Sequence, residues 1–136
     1  MKLHTVLISG TSQGIGKALA GFLLENTSIQ VYGCSRSEAP FDAPNYHHQR
    51  IDLSELGAAD NWNWPKESEG VALVNNAGLI APIGITGKLP SKAIEQQMQV
   101  NLHTPICLSN RFVDTYSQGV IMNISSGAAH KCLPGW

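Results

Sequence analysis

A doubly wound α/β fold, a parallel sheet covered by helices on both faces, is the class this sequence predicts. Three observations carry the prediction: strand-like and helix-like segments alternate, the first strand runs into a glycine-rich turn, and two asparagine-bearing segments close later strands.

The elements follow in order. Val6-Leu7-Ile8 is a short apolar run of the kind buried in a parallel sheet, and predicts a strand over 3–9. Gly10-Thr11-Ser12-Gln13-Gly14-Ile15-Gly16 comes next, and residues 14–26 read as helix. Such a turn leaves backbone N–H groups at the helix N-terminus free to receive a diphosphate. Gly10 permits the tight turn, Gly14 lets the backbone approach phosphates, and Gly16 lets the helix pack close on the strand. A P-loop fits worse: Thr11 stands where its first glycine would be, and Ala18 replaces the Ser or Thr that would bind magnesium.

Further strands are predicted over 29–34, 46–51, 71–75 and 119–125, with a weaker helix near 53–60 and a long one over 91–116. Asn61-Trp62-Asn63-Trp64-Pro65 reads as a loop whose tryptophans serve packing, and Gly84, Gly87 and Pro90 punctuate another. Ser91 is the expected N-cap of the long helix, and Ile94, Met98, Leu102 and Ile106 are spaced to face a core.

Composition narrows the class. One domain, residues 1–136, with 43% hydrophobic content, is enough for a core. A net charge of −1 predicts no attraction to nucleic acid or to an anionic membrane surface. No apolar run approaches the roughly 20 residues of a membrane span, and a start directly on a strand predicts no signal peptide. Cys34, Cys107 and Cys132 are odd in number and in no CxxC arrangement, which predicts reduced thiols and a cytoplasmic protein. The five histidines form no metal-ligand pattern, so no metal is expected, and the adjacent His47 and His48 read as surface residues on opposite sides of a strand.

Asn75-Asn76-Ala77-Gly78 ends the predicted fourth strand and Asn123-Ile124-Ser125-Ser126-Gly127 the fifth, where open α/β sheets bind ligands. Together with Gly10-xxx-Gly14-x-Gly16, Asp52 after the third strand, and Asn101 in Val-Asn-Leu, they form an ordered set. In that order and spacing the chain resembles the short-chain dehydrogenase/reductase family along essentially its whole length. The resemblance implies a Rossmann-type, NAD(P)-binding domain with sheet order 3-2-1-4-5. It implies that Gly10, Ser12, Gly14, Ile15 and Gly16 hold the diphosphate, that Asp52 and Leu53 line the adenine pocket, that Asn75 and Gly78 lie by the adenosine ribose, and that Gln13 and Ala77 also bind the cofactor. Asn75 and Asn76 equally read as ties between neighbouring strands. Asn101 matches the helix asparagine whose kinked backbone holds a water of the proton relay, and Ser126, rather than Ser125, matches the catalytic serine.

The family's general-acid tyrosine is expected thirteen residues after Ser126, three beyond Trp136, with a lysine four residues further. Tyr32, Tyr46 and Tyr116 stand in no Tyr-xxx-Lys arrangement. The domain is therefore expected to be incomplete at its C-terminus and the 136 residues by themselves inactive, with the fifth strand left as an exposed edge. Ser126-Gly127-Ala128-Ala129, followed by Pro134-Gly135-Trp136, resembles the benzil- and sepiapterin-reductase-like branch, which implies a ketone or diketone substrate.

The second strand ends in Ser35-Arg36-Ser37. An acid at position 35 would bond the ribose 2′-OH of NAD and repel a 2′-phosphate, whereas Arg36 can fork onto one. Ser35 and Arg36 therefore point to NADP(H) over NAD(H), tempered by Gln13, where many NADP-preferring relatives carry a basic residue. The expected function is NADPH-dependent carbonyl reduction on a small-molecule ketone or alcohol pair by a homo-oligomer. The alternative is a non-catalytic NADP(H)-binding module.

Overall fold

The computed structural model describes residues 2–66 and 69–131. Five strands form one parallel sheet in the order β3-β2-β1-β4-β5: β1 Thr5–Ser9, β2 Gln30–Ser35, β3 Tyr46–Arg50, β4 Val71–Asn75 and β5 Gly119–Asn123. The order and the parallel pairing are those the resemblance implies. β1 and β4 are buried along their whole lengths, which is why they read as unbroken apolar runs instead of alternating ones.

Helix α1, Gly14–Asn26, covers one face, where Ala20 packs among Val6, Ile8, Val31, Tyr46, Ala72 and Val74. The opposite face packs Leu7, Val71 and Leu73 against Trp62, Trp64, Leu108, Phe112 and Tyr116. Trp62 is fully buried, so the packing role expected of the tryptophans holds. The link that secures this layer is Arg111. Its guanidinium donates to the carbonyls of Ala59, Asp60 and Trp62 and lies 4.1 Å from the centre of the Trp64 ring.

The long helix differs from its sequence reading in three ways. It is broken into α2, Ser91–Met98, and α3, Thr104–Thr115, by a π-helical segment, Gln99–His103. Pro90, not Ser91, occupies the N-cap position, and no side chain caps the helix; Ser91 is already its first residue. Ile94, Met98, Leu102 and Ile106 are exposed, and the buried stripe is Val100, Thr104, Leu108 and Phe112. Both stripes have the i, i+4 spacing, so periodicity alone cannot choose between them. The Thr104 hydroxyl donates to the Leu53 carbonyl at 3.1 Å and Arg111 reaches the 58–62 segment, which turns the second stripe inward.

Near residues 53–60 the expected helix is only a 3-10 turn, Ala58–Asn61, preceded by Gly57 at φ +78°. A left-handed glycine at that point stops an α-helix from starting earlier. His47 is exposed, as expected. His48 is half-buried and hydrogen-bonded, because it shares its strand face with Tyr46. β5 lies at the sheet edge with Val120 and Met122 exposed. Cys34 and Cys107 are free thiols; Cys132 and the Pro134-Gly135-Trp136 run lie outside the described residues.

Because Trp62 fills the space between the 3-10 turn and α3, Trp62→Ala is expected to cost about 3–5 kcal/mol of folding stability. Chemical denaturation of the two proteins side by side measures it; a loss below about 1 kcal/mol would mean the site collapses without a cavity.

Candidate cofactor-binding cleft

β1 pairs with β2 on one side and with β4 on the other, so the chain's connections diverge beyond its carboxyl end. That divergence opens a cleft at the strand ends. The two walls are joined at one point. Ser9 Oγ accepts from the backbone N–H groups of Asn76 and Ala77, each at 3.1 Å. The Asn76 amide donates back to the carbonyls of Ser9 and Gly10, each at 3.0 Å.

Gly10 turns the chain at φ +77°, and a Cβ there would lie 2.9 Å from the Ala77 Cα. A Cβ on Gly16 would collide with the Gly10 carbonyl and the Asn76 amide. Gly16 thus makes room for the turn and its asparagine clamp, where close approach to the strand was expected. Gly14, at φ +60°, faces open space, as a backbone poised beside a ligand requires. The α1 N-terminus has no side-chain cap and no acid in its first turn. Its first intrahelical bond runs from Lys17 to the Gln13 carbonyl, so the earlier N–H groups lack helix acceptors.

The cleft has a volume of about 400 Å³ and gathers most of the residues named from sequence. Gly10, Ser12, Gln13, Gly14 and Ile15 line one end, Ser35, Arg36, Asp52 and Leu53 another, and Ala77 and Gly78 a third. Gly16 and Asn75 do not line it. Asn75 is buried and donates to Ser109 Oγ at 3.1 Å and to Asn123 Oδ1 at 2.9 Å, so it ties β4 to β5 and α3. Sequence reasoning missed Asn76, Cys34, Ile51, Ser54, Leu79, Ile80, Val100 and Ile124 as lining residues. Asn76 was legible as a strand tie, but the apolar ones carry no signal apart from neighbouring a motif residue.

Asn101 sits within the π-helical segment, so the backbone departs from α geometry where the resemblance implies a kink. Its side chain clamps Leu79: Nδ2 donates to the Leu79 carbonyl and Oδ1 accepts its N–H, each at 2.7 Å. A second cleft of about 500 Å³, between β4, β5 and α3, is lined by Asn75, Asn101, Ser109, Asn123 and Ser125. Ser126 lines neither cleft; its Oγ accepts from the Ala128 N–H at 3.2 Å and caps a short 3-10 turn.

Two ionisable groups mark the cleft. Burial pushes the Cys34 thiol up to about 12, only partly opposed by its bond with Gly10, so it stays protonated and unreactive. At Asp52, burial acts to raise the pKa. Two bonds from Ser54, to backbone N–H and hydroxyl, and the nearby Arg36 charge outweigh it and leave the carboxyl below its usual value. Among the described residues no group of His, Cys, Asp and Glu could hold a metal ion, and no helix is long and apolar enough to cross a membrane.

Residues 66–136 match the family described as short chain dehydrogenase. The chain is 30% identical, over 145 residues, to a benzil reductase ((S)-benzoin forming) of Bacillus subtilis, covering 98% of this chain and 59% of that protein. A Bacillus cereus protein of the same description is 29% identical over 158 residues, with 98% of this chain and 61% of that protein covered. The chain thus spans about three fifths of the length of these relatives. A short-chain dehydrogenase/reductase from Burkholderia vietnamiensis superimposes with a TM-score of 0.86 at 29% identity, covering 98% of this chain and 68% of that one.

A depressed Asp52 pKa stabilises the fold at pH values above the carboxyl's unfolded pKa, and the contribution disappears as pH falls through the lower folded value. Wild-type protein is therefore expected to lose more melting temperature than Asp52→Asn between pH 6 and pH 3, roughly the range bracketing an ordinary Asp pKa of about 3.9. Parallel losses would show that Ser54 and Arg36 do not favour the ionised form.

Proposed function

Starting from a chain that belongs to the short-chain dehydrogenase family, we propose that the full-length protein is an NADPH-dependent reductase of a small ketone or diketone. The observation that carries the cofactor part is the end of β2, where Ser35 stands in place of an acid and Arg36 lines the cleft. With no carboxylate at position 35 to repel it, a 2′-phosphate meets a guanidinium instead. Among the described residues that guanidinium makes no hydrogen bond of its own, and it already acts through space on Asp52.

The residues present fit a dinucleotide. The positive-φ Gly14 leaves its surroundings open, and the uncapped α1 N-terminus offers N–H donors and the positive end of the helix dipole to a diphosphate. Gly10, Ser12, Gln13, Gly14 and Ile15 would hold that group, Ser35 and Arg36 the 2′ position, Asp52 and Leu53 the adenine, and Ala77 and Gly78 the adjoining ribose. When bound, the nicotinamide supplies a hydride to a carbonyl carbon. Ser126 would donate a hydrogen bond to the carbonyl oxygen, and Asn101 would hold the water through which a proton reaches the acid. Ser126 Oγ accepts from the Ala128 N–H, which leaves its own hydroxyl hydrogen free for that role.

Likeness to the Bacillus benzil reductases supports a ketone or diketone substrate. The exposed stripe Ile94, Met98, Leu102 and Ile106 supports association with a second copy.

In the full-length protein, Arg36→Ala is expected to weaken NADPH binding about ten- to a hundredfold, the worth of a charge-assisted hydrogen bond, with NADH binding nearly unchanged. Fluorescence titration of both cofactors measures it, and equal losses would remove the basis for the assignment. Ser126→Ala is expected to lower turnover of a diketone far more than Ser125→Ala. The reverse ranking in steady-state assays would move the catalytic hydroxyl to Ser125, which lines the second cleft.

A further inference from the structure

β3 carries Tyr46, His48 and Arg50 at alternate positions, hence on one face of the strand. Each of them bonds a residue in the turns that border the cleft, on another element. The Tyr46 hydroxyl reaches across β2 to Thr11 Oγ1, 2.8 Å away in the glycine-rich turn. The path is open because β2 has Gly33 at the crossing; a Cβ there would collide with the Tyr46 hydroxyl and lie 2.7 Å from Thr11 Oγ1. His48 Nδ1 is 3.0 Å from the Tyr46 hydroxyl, and its Nε2 is 3.0 Å from the Ser37 carbonyl. Arg50 Nε donates to the Arg36 carbonyl at 2.9 Å, and its Nη1 pairs with Glu38 at 3.2 Å.

A carbonyl oxygen only accepts, so His48 carries its proton on Nε2 and donates to Ser37. His48 Nδ1 and Thr11 Oγ1 flank the Tyr46 hydroxyl, which can donate to one and accept from the other. Ser35 Oγ also donates to the Ser37 carbonyl, at 3.2 Å. Burial holds the Tyr46 hydroxyl above its ordinary pKa, opposed only in part by Thr11, so it remains a donor.

We propose that His48 and Arg50 are specificity-determining positioning residues: by holding the consecutive carbonyls of Arg36 and Ser37 from β3, they keep the Arg36 side chain at the adenosine end of the cleft. Through Tyr46 and Thr11 the same row ties that turn to the diphosphate-binding turn, so the two ends of a dinucleotide site are set against each other. The inference rests on the reading of Arg36 as the 2′-phosphate group. It adds that discrimination depends on residues that would not touch the cofactor.

The test uses full-length protein and titrates NADPH and NADH against wild type, His48→Leu, His48→Gln and Arg50→Met. Glutamine can still donate to the Ser37 carbonyl; leucine cannot. His48→Leu and Arg50→Met are each expected to lower the NADPH-to-NADH affinity ratio about three- to tenfold, through NADPH alone, and His48→Gln is expected to recover most of the ratio. An unchanged ratio in both His48→Leu and Arg50→Met, an equal loss for both cofactors, or glutamine no better than leucine would overturn the inference. A wild type that binds NADH as tightly as NADPH would instead overturn the Arg36 reading itself. Arg50 is mostly exposed, so Arg50→Met keeps the test open should His48→Leu fail to fold.

Discussion

The reciprocal bonds between Ser9 and Asn76 are the constraint on which the rest of the architecture turns. Ser9 accepts two N–H groups from the segment after β4, and the Asn76 amide returns two bonds to the segment after β1. Two parallel strands that would otherwise diverge at their ends are joined where the sheet order reverses. Ser9 is buried and Asn76 half-buried at this junction, and the donors named here find partners within the protein. The glycines are consequences of the clamp: any side chain at Gly10 or Gly16 would occupy space that Asn76 and Ala77 need.

From this junction the order spreads in both directions along the sheet. Toward β5, the Asn75 amide extends the connection by donating to Asn123 and Ser109. Toward β3, the Cys34 carbonyl accepts the N–H groups of Gly10 and Thr11, and Thr11 passes the connection to Tyr46. The polar ends of the strands thus form a continuous hydrogen-bonded band across the sheet. The apolar cores on its two faces provide the bulk of the burial, and the band decides which groups line the cleft.

Electrostatics in the cleft are sparse. Asp52 and Arg36 stand within range of each other at one end, while Cys34 is kept neutral by burial. In the proposed reading the cleft meets an anionic dinucleotide with one guanidinium and otherwise backbone N–H groups, so discrimination follows where that guanidinium is held. The carbonyls of Arg36 and Ser37, in the turn after β2, are held by the side chains of Arg50 and His48 on β3.

How much of this was legible in the chain follows from the range of the forces involved. Local and alternating patterns were sufficient for the five strands, for α1 and for the glycine turn, because burial on both faces and the steric demands of a turn are written within a few neighbouring residues. The residues brought to the cleft were legible as motifs at strand ends. The tertiary structure alone chose the inward stripe of α2 and α3, since Ile94, Met98, Leu102 and Ile106 have the same spacing as Val100, Thr104, Leu108 and Phe112. It also turned Asn75 away from the cleft and drew His48 from an expected surface position into a network with Thr11 and Ser37. Those choices depend on partners 11 to 52 positions away, as with His48 and Ser37 or Arg111 and Ala59, and no local pattern encodes a hydrogen bond across that distance.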